Sequence, residues 1–256
     1  MKKSLCMLVG SVSLFASVGH SAILTGSVDI NPATSVTLTS DDVIDWAIWN
    51  TTSSTAVGSL SATNVQSGGA GLISAITAFS TVGATPNNVR GVGNAAALFS
   101  YTDGTSPATL SDTRQGFVAN STLATAGRGV QLSVSGATGQ LYKVDVWTVG
   151  FAGQGEMRAS LDGASQVTLF SEAFGPDGAN KASNLFSFEF MPDTDTDLLS
   201  ISFHLMSAGI GADAHVGIQA VTVTAMPSSV PEPSTGALLA GLGGLGFAAL
   251  KRRRRA

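Results

Sequence analysis

Apolar and polar residues alternate in short runs along most of this chain, the pattern of half-buried β-strands rather than of helices. Phe186, Phe188 and Phe190 give the strongest two-residue period, closed by Pro192, and Ile201, Phe203 and Leu205 repeat it. Val130, Leu132 and Val134 alternate with polar residues, as do Tyr142, Val144 and Val146 opposite Lys143, Asp145 and Trp147. Met157, Ala159 and Leu161 run up to the turn Asp162-Gly163, Val167 to Phe170 follow it, and Val216 to Val223 make a last strand. Nearer the start, strands are expected within 23–30, around 36–38, within 41–50, over 72–78 and over 95–101, the last ending at the tight-turn signal Asp103-Gly104. In the 41–50 segment Ile44, Trp46 and Ile48 share one face and Trp49 points the other way, while the Ser/Thr/Gly-rich residues 51–70 read as a loop. Roughly ten such strands separated by turns predict an all-β domain, a jelly-roll-like β-sandwich.

Two segments depart from this pattern. Met1 to Ala22 carries Lys2-Lys3, an apolar core from Leu5 to Val18 and small residues around Gly19, Ser21 and Ala22, the layout of a Sec-type signal peptide. Cys6 lies too early in it, without the small residue that should precede a lipidated cysteine, and reads as an ordinary signal-peptide residue. At the other end, Val230-Pro231-Glu232-Pro233 cannot join a sheet or a helix interior, because proline lacks a backbone N–H and restricts the residue before it. An uncharged run from Gly236 to Leu250 follows, about 22 Å long as a helix and so shorter than the ~30 Å hydrocarbon core unless its flanks snorkel. Lys251, Arg252, Arg253, Arg254 and Arg255 then form a membrane stop signal, held on the cytoplasmic side by the positive-inside rule. The expected organisation is a signal peptide over 1–22, a β-sandwich over 23–226, a linker over 227–235, a single transmembrane helix over 236–250 and a basic tail over 251–256.

The order Pro231-Glu232-Pro233, short Gly/Leu-rich segment, terminal Arg cluster resembles the PEP-CTERM sorting signal of Gram-negative bacteria, whose logic is similar to that of sortase signals. The resemblance covers about a tenth of the chain. It implies that a membrane exosortase recognises Val230, Pro231, Glu232 and Pro233 and removes the tail. It also implies an exopolysaccharide-producing, biofilm-forming host. The partners it implies are the Sec translocon, signal peptidase and an exosortase, with exopolysaccharide at the destination. The localisation implied is an inner-membrane intermediate, then the cell surface or extracellular matrix.

Without its two terminal signals the chain keeps six cations, Arg90, Arg114, Arg128, Lys143, Arg158 and Lys181, against 16 carboxylates, a net charge near −10. Such a surface repels nucleic acid and anionic lipid. It also lacks cysteine, so disulfides, thiolate catalysis and Cys-ligated zinc are all excluded from it.

Candidate chemistry is sparse. His204 sits opposite Ile201, Phe203 and Leu205 and is expected to face solvent; Asp213 and His215 are too few for a metal or proton-relay site by themselves. No Gly-x-Ser-x-Gly elbow occurs, and Glu156, Glu172 and Glu189 are not paired in sequence as glycoside hydrolysis requires, so no catalytic residue is assigned and the protein is expected not to be an enzyme. Asp193, Asp195 and Asp197 alternate in a loop, a pattern that can wrap Ca2+, which makes them the candidate metal ligands although Leu198 replaces the EF-hand glycine. No other cofactor is expected. Trp46 shares the core parity of its strand, whereas Trp49 and Trp147 lie on the opposite parity and are the candidate glycan-contacting rings. Segments including Asp45-Trp46, 99–104, 127–129, 141–149, 155–161 and 216–221 resemble galactose-binding-like β-sandwich modules over roughly residues 40–225, a likeness that supports the fold and assigns no sugar contact. Three functions follow as expectations: a structural or adhesive surface protein first, a carbohydrate-binding module second, a polysaccharide-active enzyme third.

Overall fold

The computed structural model describes residues 21–83, 88–95, 97–113, 116–162, 164–173, 182–206 and 213–227. Residues 1–20 of the signal peptide expected over 1–22, with Cys6, lie outside these residues, as do the Pro-Glu-Pro segment, the apolar run and the basic tail. Among the described residues no helix is long and apolar enough to cross a membrane. The strands, in chain order, begin with β1 (Ile23–Asp29), β2 (Ser35–Thr37), β3 (Val43–Ile48), β4 (Ser59–Leu60), β5 (Asn64–Val65) and β6 (Ile76–Ser80). Next come β7 (Val89–Gly93), β8 (Leu98–Tyr101), β9 (Leu110–Thr113), β10 (Gly116–Asn120), β11 (Arg128–Ser135) and β12 (Tyr142–Phe151). The chain closes with β13 (Gln154–Ser160), β14 (Val167–Ala173), β15 (Ala182–Met191), β16 (Leu198–Leu205) and β17 (His215–Ala225).

Among the described residues, 17 strands form three sheets rather than the simple two-layer sandwich of about ten that periodicity suggests. An eight-stranded sheet runs β1-β15-β12-β17-β10-β7, with β3 also on β17 and β5 on β3. A six-stranded sheet runs β14-β13-β16-β11-β6-β4. Their facing sides bury the main core: Val144, Val146, Phe186, Phe188 and Phe190 from the first sheet against Val130, Leu132, Met157, Ile201 and Phe203 from the second. The two-residue period of β12, β15, β11 and β16 therefore has a direct cause, since alternate side chains on a pleated strand point to opposite faces. The all-β, sandwich-like expectation holds.

The third sheet, β2-β8-β9, changes the other face of the eight-stranded sheet. Val36, Phe99, Tyr101 and Leu110 from the small sheet pack with Trp46, Ile48, Trp147 and Ala220 from the large one, forming a second core on the outside of the sandwich. Both faces of β17 are consequently covered, and nine consecutive residues, His215 to Val223, are buried. A long apolar run is what a strand buried on both faces requires.

Two irregularities correct the expected side-chain faces. Between Val223 and Thr224 the β17–β3 register skips Ile44, so Ile44 packs with the main core while Trp46 and Ile48 belong to the outer one. A second shift beside Trp147 leaves Gln219 unmatched on β17. There its Nε2 donates to the Ala97 carbonyl at 3.0 Å, tying the large sheet to the segment that enters β8. Residues 51–70, expected as loop, supply β4 and β5, each two residues long and too short to show a period.

Candidate functional site

The outer face of the six-stranded sheet carries polar residues in register. Across β6, β11, β16, β13 and β14 one row reads Thr77, Gln131, Ser202, Arg158, Thr168, and beside it Ser133, Ser200 and Ser160 line up. Phe79, Gln131, Arg158, Ser160, Gln166, Ser200, Ile201 and Ser202 line an open furrow of about 300 Å³ on this face. Among the described residues, the side chains of Gln131, Ser160, Gln166, Ser200 and Ser202 make no hydrogen bond inside the protein.

The furrow is bordered by a row reading Phe79, Gly129, His204, Glu156, Phe170. Gly129 is required there: a Cβ at this position would lie 2.0 Å from the Phe203 carbonyl oxygen and 2.4 Å from the His204 Cα. Its missing side chain lets Phe79 lean toward His204, with ring centroids 5.3 Å apart. His204 is accordingly only 3% exposed, which overturns the expected solvent-facing histidine. Its parity was the outer one; the neighbours on that face cover it.

Glu156 stands between Arg158 and His204. Arg158 donates Nε–H to Glu156 Oε1, and His204 Nε2 stands 3.9 Å from Glu156 Oε2. Burial pushes the His204 pKa below its ordinary value; the nearby Glu156 charge opposes that shift and Arg158 reinforces it. His204 is therefore neutral near pH 7, and its Nδ1 is buried without a hydrogen-bond partner. The Arg158 charge is balanced locally by Glu156, while the guanidinium keeps its terminal amino groups available to a ligand.

The residues picked out from sequence lie elsewhere. Trp49 is fully buried in the main core, donating Nε1–H to the Leu60 carbonyl at 3.0 Å, and Trp147 is 7% exposed beneath the third sheet, edge-on to Phe99. Neither presents the open face that stacking on a sugar demands, so the expectation of glycan contact at these two rings is corrected. Trp46 is buried as expected, though in the outer core, where its Nε1–H is donated to Asp103.

The aspartate loop is also reassigned. Asp197 accepts from the backbone N–H of Asp193 and of Thr194, each at 3.0 Å, and from the Thr194 hydroxyl, closing a local turn. Asp195 reaches instead to the backbone N–H and hydroxyl of Thr138. These bonds hold both carboxyls below the usual carboxylate range, the Thr194 and Thr138 hydroxyls contributing most. The three carboxylates do not gather as metal ligands, and no group of three or more His, Cys, Asp or Glu side chains does so among the described residues. His215 stacks between Phe117 and Phe151 and bonds through Nδ1 to the Asp213 backbone carbonyl. Glu189, between the buried Phe188 and Phe190, points outward and is exposed.

Register also locates the two ends of the domain. Ile23 pairs with Met191, and Tyr142 pairs with both Phe190 and Ala225, so β1 begins and β17 ends at one pole of the eight-stranded sheet. The aspartate loop lies at that pole, where Gly139 N–H donates to the Pro192 carbonyl.

A family model of the PEP-CTERM protein-sorting motif matches residues 229–255. The chain thus carries a signal for exosortase-dependent sorting: it is exported and membrane-anchored on its way toward the cell surface, with an exosortase as processing partner. No curated protein matches the sequence. Among solved structures, the chain is similar to a Paenibacillus sp. cycloisomaltooligosaccharide glucanotransferase complexed with cycloisomaltoheptaose, at 13% identity and a TM-score of 0.31. The likeness covers 57% of this chain and only 18% of that enzyme's length.

Proposed function

We propose that this is a non-enzymatic structural or adhesive protein of an exopolysaccharide matrix, delivered by its C-terminal motif and working as a β-sandwich at the surface of a Gram-negative cell. The sorting motif at 229–255 carries the reading. Three further features support it. The domain starts and ends at one pole, which suits a module tethered from one side and presenting its remaining surface outward. Its net charge near −10 keeps it from anionic lipid and nucleic acid. Several carboxylates serve structure: Asp197 closes a turn, Asp195 ties two loops, and buried Asp45 accepts the Leu72 N–H at 2.6 Å.

Mass spectrometry of the protein recovered from the surface and matrix fractions of producing cells tests this directly. The expected mature chain lacks the signal peptide and ends upstream of Gly236, and Pro231→Ala with Glu232→Ala leaves an unprocessed, membrane-bound precursor. Recovery of surface protein with Val230 to Ala256 intact overturns the processing step. Confinement of the processed wild-type chain to a fraction free of polysaccharide overturns the matrix role.

A further inference from the structure

We infer that the furrow on the outer face of the six-stranded sheet is a binding site for a short segment of a neutral polysaccharide, an inference that rests on the matrix role proposed above. The first ground is unused hydrogen-bonding capacity gathered in one recess. Gln131, Ser160, Ser200 and Ser202 come from β11, β13 and β16, three strands that register brings side by side, and Gln166 immediately precedes β14; among the described residues none of these side chains bonds within the protein. Amide and hydroxyl groups both donate and accept, which is the capacity a polyhydroxylated chain needs along its length. The recess of about 300 Å³ sits at the lower end of the ~300–1,000 Å³ range of small-ligand sites. That size suits a few sugar rings of a longer chain, entering and leaving through the open sides.

The second ground is a side wall of the right character. Phe79 lines the furrow and is held there by its contact with His204 over the bare backbone of Gly129. A partly exposed ring fixed against its neighbour offers the apolar C–H face of a sugar a surface that costs little ordering on binding.

The third ground is charge, and it selects among polymers. Arg158 already shares its charge with Glu156, so its terminal amino groups act as directed donors rather than as an attractor of anions. With a domain charge near −10 around it, a nucleic acid or a uronate-rich polysaccharide is repelled before it reaches the furrow. An extended peptide is disfavoured for a different reason: β11, β16 and β13 are each paired on both sides, leaving no free strand edge for it to extend.

The test is affinity electrophoresis of the full chain, purified in detergent, through gels containing the neutral polysaccharide fraction extracted from producing cells, with dextran and galactomannan as defined neutral probes and alginate as the anionic one. The wild-type chain is expected to be retarded by at least one neutral polymer and not by alginate. Gln131→Ala combined with Gln166→Ala should weaken that retardation tenfold or more, as should Ser200→Leu, which fills the furrow from an exposed position. Glu189→Gln, on the opposite outer face, should leave it unchanged. Thermal melts of each variant establish that folding is retained. Absence of retardation by every neutral polymer, retardation by alginate alone, or equal retardation of the furrow variants and wild type would each overturn the inference. A wild-type chain found in the matrix fraction of cells, together with furrow variants found there equally, would sink the furrow while leaving the matrix role standing; absence of the wild type from that fraction would sink the role itself.

Discussion

On the eight-stranded sheet the outward side chains include Trp46, Ile48, Trp147 and Ala220, packed under a small third sheet; on the six-stranded sheet they include Gln131, Ser200, Ser202 and Arg158, set around an open furrow. The backbones obey the same alternation, and the difference lies in what alternation exposes. A face rich in large apolar residues has to be covered, and the chain spends β2, β8 and β9 doing so. A face of serine and glutamine can stay in water, where its polar atoms remain available to a partner. The contrast separates a structural face from a binding face within one domain.

The comparison is broken most forcefully from the covered side. Trp46 is fully buried between Tyr101 and the other members of the outer core, with ring centroids 4.7 Å apart, and its Nε1–H is donated to Asp103 at 3.0 Å. Trp46→Ala should cost about 3–5 kcal/mol of unfolding free energy, measured by denaturant titration, because a large cavity opens and a hydrogen bond is lost together. A cost under about 1 kcal/mol would mean that the third sheet contributes little and that the covered face tolerates exposure.

How far these two faces could be read from sequence depended on contiguity. The sorting motif occupies one unbroken segment, so its three elements were visible in order. The inward parity of Phe186, Phe188 and Phe190 was equally plain, since it needs only local alternation. The fate of Trp147 was not, because its cover comes from β8 and from β2, which pairs with β8 in parallel across more than sixty residues of sequence. His204 failed for a related reason: its parity was right, but only the pairing of β11 with both β6 and β16 brings Phe79 next to it across Gly129. The furrow residues were hidden most completely. Gln131, Arg158, Ser200 and Ser202 are polar positions spread over β11, β13 and β16, with Gln166 just before β14, each indistinguishable from an ordinary solvated residue until the sheet brings them together. A row of unremarkable polar residues acquires meaning only from the shape of the face that carries it.

A smaller effect, readable in pH, comes from the border of the open face. His204 has a pKa pushed down chiefly by burial, so the unfolded chain takes up a proton below the ordinary imidazole value of about 6.5 that the folded chain resists. Its contribution to stability is therefore complete above that value and declines as the pH falls below it. Asp195 and Asp197, with lowered values, act later: their contribution is present above the ordinary carboxylate range and is lost as acid drives the pH through their folded values. Buried Asp45, raised by burial against the hydrogen bonds from Leu72, Ile73 and Trp46, works in the opposite sense and returns some stability in acid. Melting temperatures taken from pH 8 to pH 5 should decline, and His204→Gln should flatten that slope. An unchanged slope in the variant would place the titrating group elsewhere.

The smallest expected stability effect tests the open face itself. Gln131 is exposed, and it makes no side-chain hydrogen bond among the described residues. Gln166 is exposed and equally free. Replacing both with alanine should change unfolding free energy by less than about 0.5 kcal/mol, the usual range for surface positions outside caps, cores and networks. That near-neutrality is what a binding face requires: its polar groups are held in place by strand register and not by one another, so removing them should spare the fold and cost only the ligand. A loss of about 2 kcal/mol or more would instead make the furrow part of the structural machinery, and the difference between the two outer faces would shrink to one of polarity alone.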